Sequence, residues 1–521
     1  MFYKTVLIDM NKIFIFAIGG TGSRVLKSLV MELAAGIVPK DSVTGEPYDI
    51  VPIIIDPHEK NKDVLECKDI LANYKIIRQD IYGDALKSEG FYAARIRTLK
   101  EVGASENSDL ALEDAFFFPI SEITCDTFSN YVGQTDASVP TDVKMFTRML
   151  YSGEELKTPM QHGFYGQPNL GTVALGAFKD SDYYTVLRKV YKPGDKLFFI
   201  GSIFGGTGAA GLPMLISSVR QNTEINEHFA KAPIGALVVM PYFSIEEDED
   251  SKIKQSDFTL KTKTALRYYK KDLDPYVNNL YYLADPVGTG TIKNDKGDGG
   301  QKENKAHIIE FIGGLAIYDF ASAKFDPKQT VVYDKDNRIV AATPLKYQFT
   351  VMNVGSDRQI DFTKFDKATN GIILRPMMKY HLYDRIVFDG FLENDLDKPF
   401  AKGRIESSSI TREMRVFSDY YRQWLIELGG NKEGHNFKPF CVGSRTDKDF
   451  SNEISSIFPK PQKLGFISHS GSVGLSDVWN SFNGLEKECK GIGTPYLFEV
   501  VNHPKSLATV IDKYDIKNYI N

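Results

Sequence analysis

Twice along this chain an apolar run ends in a cluster of glycines and passes into a stretch whose apolar residues recur at helical spacing. The first run is Lys12 to Ile18 (KIFIFAI), closed by Gly19-Gly20-Thr21-Gly22 and continued by Val25, Leu26, Leu29, Val30 and Leu33. The second is Lys196 to Ile200, which leads through Gly201 into Gly205-Gly206-Thr207-Gly208 and on to Gly211. A short segment that is apolar at nearly every position reads as a strand covered on both faces, the situation of strands in parallel sheets. Strand, glycine turn and helix together make a βα unit. Three further runs carry the strand pattern: Ile50 to Ile55 before Asp56-Pro57, Ile234 to Met240 before Pro241, and Asn279 to Leu283 before Asp285-Pro286. Helix-like stretches such as 261–272 lie between them. Strands alternating with helices over some 300 residues predict an α/β domain with a mostly parallel sheet.

Residues 285–303 are nearly free of apolar side chains and rich in Gly, Lys and Asp, which reads as a surface loop. The segment from Asn304 to Phe320 is apolar on nearly all sides and predicts a buried helix. Beyond it the texture changes. Residues 331–340 read as strand, turn and strand, and 418–428 as a long helix.

The chain has 521 residues, 42% hydrophobic and 25% charged, the profile of a globular protein too large for a single ordinary core. Its net charge is −5, and no block of Lys and Arg stands clear of neighbouring acids, so nucleic acid is not an expected partner. Four cysteines, Cys67, Cys125, Cys441 and Cys489, are far apart and form no C-x-x-C pair, arguing against a disulfide frame or a cysteine metal site. The sequence has no signal-peptide layout and no apolar stretch long enough for a membrane span, so cytoplasmic residence is the default expectation.

A phosphate loop needs glycines because backbone N–H groups must approach oxygen atoms that a Cβ would fend off, and because some positions take positive φ. The following helix adds the positive end of its dipole. Both glycine clusters meet this requirement. Neither is followed by the G-K-[ST] of a Walker loop. A dinucleotide-binding Rossmann unit also begins with strand, glycines and helix, with Asp56 available to close its second strand. Its G-x-G-x-x-G spacing is absent, however, because Arg24 and Val25 stand where the last glycine belongs. Tight turns between packed elements are the plainest alternative. No Ser-His-Asp, Cys-His or paired-carboxylate constellation supports other hydrolase or transferase chemistry.

The order of motifs goes further. Phe204 to Gly211 resembles the GGGTGSG signature of the tubulin/FtsZ superfamily, with Phe204 in place of one glycine. His162 to Gly171 (HGFYGQPNLG) is similar to the FtsZ loop GAGGNPEVG, matching Gly163, Gly166, Gly171 and Pro168. FAIGGTGSRVL resembles the family's first nucleotide loop, and Val238 to Glu246 its V-V-T-x-P-F-x-F-E segment. Residues 266–285 look like the helix and strand that end near P-N-D, and Asn304 opens the buried helix. These landmarks fall in family order over roughly residues 11–320, closer to divergent bacterial tubulin-like proteins than to cell-division FtsZ.

The resemblance implies a GTP/GDP-binding domain over 1–320 that includes the central helix, with insertions near 85–150 and 285–303, and a second α+β domain over 321–521. It implies phosphate contacts from Gly19, Gly20, Thr21, Gly22, Gly163, Gly166, Gly171, Gly205, Gly206, Thr207 and Gly208. Asp56 would lie near the phosphates and magnesium, Glu246 would meet the ribose, and Asn304 the guanine. The family's hydrolytic loop N-x-D-F-A-D is not evident, and Asp361 in Ile360-Asp361-Phe362 is its nearest echo. A GTPase that forms head-to-tail homo-oligomeric filaments is one expectation. A GTP-binding scaffold or switch without filament-coupled hydrolysis is the second, and an NAD(P)-binding protein the third.

Overall fold

A computed structural model of the protein describes residues 10–58, 60–105, 116–118, 127–160, 164, 167–221, 226–242, 244–245, 255–284, 291–292, 306–325, 331–333, 339–342, 345–349, 372–430, 437 and 475–513. Its centre is a sheet whose ladders are all parallel. The strands are β1 (Lys12–Ile18), β2 (Asp49–Ile55), β3 (Phe117–Phe118), β4 (Lys196–Ser202), β5 (Ile234–Val239), β6 (Asn279–Leu283) and β7 (Leu345–Phe349). They lie in the order β7-β6-β5-β4-β1-β2-β3. The order reverses between β1 and β4, which makes this a doubly wound sheet with a switch point between two glycine-ended strands. β1, β2, β4 and β5 are buried along their whole length, as their unbroken apolar sequences require.

The helices that frame the sheet and its loops are α1 (Gly19–Ala34), α2 (Lys62–Tyr82), α3 (Thr141–Leu150), α4 (Pro168–Leu175), α5 (Gly206–Arg220), α6 (Gln255–Asp272), the central α7 (Ile308–Ser322), α8 (Leu374–Phe388), α9 (Arg412–Gly430) and α10 (Gly493–Asn502). Alternation along β4 sorts its two faces. Phe198 turns to Phe320 of α7 (5.3 Å between ring centroids), whereas Phe199 stacks on Phe16 (4.3 Å), which meets Phe178 edge-on beyond α4. On the α7 side a second apolar layer follows. Phe311 packs on Trp424 of α9, whose indole N–H donates to the Ser28 hydroxyl of α1 (3.0 Å). Tyr74, Tyr92, Tyr380 and Phe417 join α2, α8 and α9 in one aromatic cluster.

The sequence reading places β1, β2, β4, β5 and β6 within two residues of where they lie but gives no strand at β3 or β7, while the buried helix is present and 331–333 pairs antiparallel with 339–342. The sheet also takes a strand from beyond residue 320, since β7 pairs with β6. After β7, the regular elements among the described residues are helical. No helix among those residues is long and apolar enough to cross a membrane.

Candidate phosphate-binding crevice

Parallel strands deliver their following loops to one edge, and a switch point leaves a gap between neighbouring loops there. Here the two glycine connections fill that position. The glycines are not a separate turn, as the sequence suggests, because helix begins at once: Gly19 to Gly22 form the first turn of α1, and Gly205 caps α5, which starts at Gly206. The first N–H groups of each helix lack intrahelical acceptors and point out of this edge. No carboxylate stands in the first turn of either helix to neutralise its positive end.

The fit between the loops explains the residue types. Gly19 takes φ +72°, a conformation that favours glycine, and a Cβ there would sit 3.5 Å from the Thr207 Cβ. So the two loops touch across the switch point. A Cβ on Gly22 would lie 2.6 Å from the Ala17 carbonyl carbon and 3.2 Å from the Ile200 oxygen, so α1 runs directly over β1 and β4. One on Gly208 would fall 2.6 Å from the Ser202 nitrogen, and one on Gly171 would meet the Ala210 Cβ at 2.9 Å and the Gly206 oxygen at 3.1 Å. Gly171 therefore packs α4 against the opening turn of α5, with Pro168 as the first residue of α4. By contrast, Gly20, Thr21 and Gly205 are only partly covered. They are the accessible floor of the crevice.

α2 closes a third side. Its cap Asn61 accepts from the Asp63 N–H (3.0 Å), and a Cβ on Gly20 would come within 3.4 Å of Asn61 Nδ2 and 3.7 Å of Asp63 Oδ2. Asp56, at the end of β2, is buried and accepts the His58 N–H at 2.9 Å. Burial pushes its carboxyl up to about 7; the His58 N–H pulls the other way, and Asp63 adds to the rise.

Beneath the crevice lies a charged knot that sequence reasoning did not find. The buried Arg24 guanidinium pairs through Nε and Nη2 with both Glu310 oxygens and through Nη1 with Asp63 (3.1 Å). Tyr242, just after β5, donates to the same Glu310 carboxylate (2.8 Å). Glu310 also accepts the His307 N–H (3.0 Å), while His307 Nδ1 accepts from Ile309, so the pair caps α7 reciprocally. Despite burial, the Glu310 and Asp63 charges hold Arg24 firmly protonated. The knot fixes α1, α2, β5 and α7 to one another below the glycines. Its only trace in the sequence is the arginine where a dinucleotide loop would carry glycine.

Among the residues expected to form the site, the structure thus gathers Gly19, Gly20, Thr21, Gly22, Asp56, Gly171, Gly205, Gly206, Thr207 and Gly208 at one sheet edge. Gly163, Gly166, Glu246, Asn304 and Asp361 lie outside the described residues. No group of three or more metal-competent side chains occurs among the described residues.

No protein-family model matches this chain, and no curated protein matches it in sequence. Among solved structures it is similar to CetZ2 from Haloferax volcanii in a GTPγS-bound protofilament, with 11% identity, 60% of each chain covered and a TM-score of 0.28. CetZ from Methanosaeta thermophila strain DSM 6194 matches with 12% identity over 53% of this chain and 46% of that one, at a TM-score of 0.24. TubZ of Bacillus thuringiensis serovar israelensis, in a GTPγS-form protofilament, matches with 12% identity over 60% and 55%, at 0.23. The chain spans less than two thirds of each of these structures.

Proposed function

We propose that the crevice binds the phosphates of a guanine nucleotide, GTP or GDP, and that the protein is a divergent tubulin/FtsZ-like nucleotide-binding protein. The observation that carries this reading is the meeting of both glycine connections across the switch point, with Gly19 against Thr207. Phosphate oxygens would be cradled by N–H groups at the starts of α1 and α5, with the Thr207 hydroxyl as a further donor. In the same reading the loop at Gly163 and Gly166 covers the phosphates while Gly171, buried in α4, sets that helix against α5; Glu246 holds the ribose and Asn304 the base. Magnesium would suit such a site, since it is commonly held by one or two carboxylates together with phosphates; Asp63, beside Gly20 and partly exposed, would help to hold it. When bound, the ion would offset charge on the phosphates.

A dinucleotide reading shares the sheet order but gives no role to the second glycine connection. It also needs Asp56 free to meet a ribose, whereas Asp56 is buried. Head-to-tail filaments, with a neighbour's 321–521 region over the nucleotide and Asp361 assisting hydrolysis, complete the GTPase reading. The lack of an N-x-D-F-A-D loop favours the second form, a GTP-binding scaffold or switch without filament-coupled hydrolysis. The test is the identity of the nucleotide retained by purified protein, read by chromatography after denaturation, with a Gly206→Trp variant as control. Guanine nucleotide present in the wild type and absent from the variant supports the reading. NAD(P), or no retention with micromolar GTP supplied, overturns it.

A further inference from the structure

A cavity of about 480 Å³ opens at the far end of α2, between its last turns, the 95–97 segment that bridges to β2 at Ile50, and the short helix Leu99–Ser105. Arg78 stands fifteen residues along α2 from Asp63, a rise of about 22 Å. Ile50 likewise lies near the start of the strand whose other end leads to Asp56. The cavity and the glycine crevice therefore sit at opposite ends of the strands. Four cations line the cavity, Lys75 and Arg78 of α2 with Arg95 and Arg97 of the bridging segment, and the acids in its wall are Asp84 and Glu101.

Direct carboxylate pairing does not balance these cations. Asp49 serves two of them, accepting from both sides of the Arg95 fork (2.7 and 2.6 Å) and from Arg97 (3.4 Å). Glu101 pairs with Lys75 at 2.7 Å. Arg78 is buried, and its partners among the described residues are the carbonyls of Ala93, Gly83 and Ala85 (3.4, 3.0 and 2.7 Å). Those bonds use three of its five N–H groups and set no carboxylate against its charge. Burying a cation in this way is costly, and an anion in the adjoining cavity would lower that cost. Even counting Asp49 behind the arginines, the site keeps a net positive charge in a chain whose own net charge is −5. Its volume falls within the roughly 300–1,000 Å³ of small-molecule pockets, and Ile96 and Ala104 add apolar wall. Guanidinium forks match phosphate oxygens, and a tetrahedral phosphate can accept from α2 and from the 95–97 segment at once. We propose that this cavity is a second anion site, which binds the phosphate group of a phosphorylated small molecule. It is separate from the crevice and independent of guanine-nucleotide binding.

Calorimetric titration of the full chain with pyrophosphate, in EDTA so that no metal complex forms, tests it. Lys75→Glu should weaken binding at least about tenfold, the worth of one hydrogen bond to a charged group. Asp84→Asn should strengthen it about twofold by removing negative charge from the wall, and Glu101→Gln, which also releases Lys75, by at least as much. All three side chains are at least partly exposed, and melting curves check that the variants fold. Thr207→Ala, in the crevice, should leave the Lys75-dependent binding unchanged. Malonate should bind several-fold more weakly than pyrophosphate. No binding at millimolar pyrophosphate, or binding indifferent to Lys75→Glu and Asp84→Asn, overturns the proposal. Malonate binding as tightly as pyrophosphate overturns the assignment to phosphate. A purified protein without guanine nucleotide, but with the Lys75-dependent binding intact, would overturn the reading of the crevice and leave this inference standing.

Discussion

Gly22→Ala and Gly20→Ala, two residues apart in the same helical turn, should fail in opposite ways. At Gly22 the added methyl lands 2.6 Å from the Ala17 carbonyl carbon, 3.0 Å from its Cα and 3.2 Å from the Ile200 oxygen. All three are backbone atoms of β1 and β4, the two innermost strands at the switch point, so none can rotate away. Overpacking of this kind costs about 1–3 kcal/mol, and rigid neighbours put it at the upper end. Alanine returns about 1 kcal/mol of helix propensity. The net loss is about 2 kcal/mol, or a fall of about 2–4 °C in melting temperature. At Gly20 the methyl meets only the ends of Asn61 and Asp63, at 3.4 and 3.7 Å. Stability should hold or rise by a few tenths of a kcal/mol, but the methyl stands on the crevice floor and should weaken GTP binding at least about tenfold, about 1.4 kcal/mol. Calorimetric melting paired with nucleotide titration reads both. Equal stability of Gly22→Ala and wild type would refute the close approach of α1 to the sheet. Unchanged GTP affinity in a folded Gly20→Ala would refute phosphate seating at this turn.

Buried charge should show itself in unfolding. Arg24→Met strands Glu310 without its cation and should cost about 3–5 kcal/mol in urea unfolding, with Glu310→Gln in the same chain recovering part of the loss. Glu32, on α1, is fully buried and neither carboxyl oxygen has a hydrogen-bond partner among the described residues; desolvation raises its pKa well above the ordinary value. The folded state therefore keeps a proton that the unfolded chain gives up near pH 4.5, and stability drains as pH rises above that point. Glu32→Gln should show little advantage at pH 4.5 and a growing one by pH 8, measured as the difference between urea midpoints; a pH-independent difference would refute a protonated Glu32. Thr207→Ala should weaken GTP binding by about 1 kcal/mol while leaving the melting temperature near that of the wild type.

Much of the sheet was legible because each inner strand is apolar from end to end and stops at Gly, Pro or Asp, signals contained within ten residues. The glycine loops were legible for the same reason, although nothing local shows that the glycines already belong to helices. The Arg24 knot was not legible. Its partners Asp63, Tyr242 and Glu310 stand up to 286 positions away, and an arginine inside an apolar helix reads as a solvent-facing residue until α7 is laid across it. α3 misleads in the other sense. Its apolar residues recur at helical spacing, a pattern that promises burial, and nothing in the string of letters reports that the helix is fastened by Gln134 and Arg148 with that stripe outward. β7 alternates as LKYQF, which cannot announce that it will extend a sheet assembled mostly before residue 284.

The central helix is clamped at both ends. At its start, Glu310 is gripped by Arg24 and Tyr242. At its far end, the buried ammonium of Lys196 donates to the carbonyls of Phe320, Ala321 and Ala323 at 3.3, 2.6 and 3.0 Å, occupying the end of the helix where the last carbonyls run out of intrahelical partners. Fifteen residues at 1.5 Å each make a strut about 22 Å long. Lys196 opens β4, the strand whose other end carries the Gly205–Gly208 connection. β4 therefore braces one end of the helix through a lysine, and the arginine knot ties the other end to α1, α2 and β5. A shift of the glycines along β4 cannot be taken up by slippage of the helix alone. It must travel to the opposite edge of the sheet or break a brace.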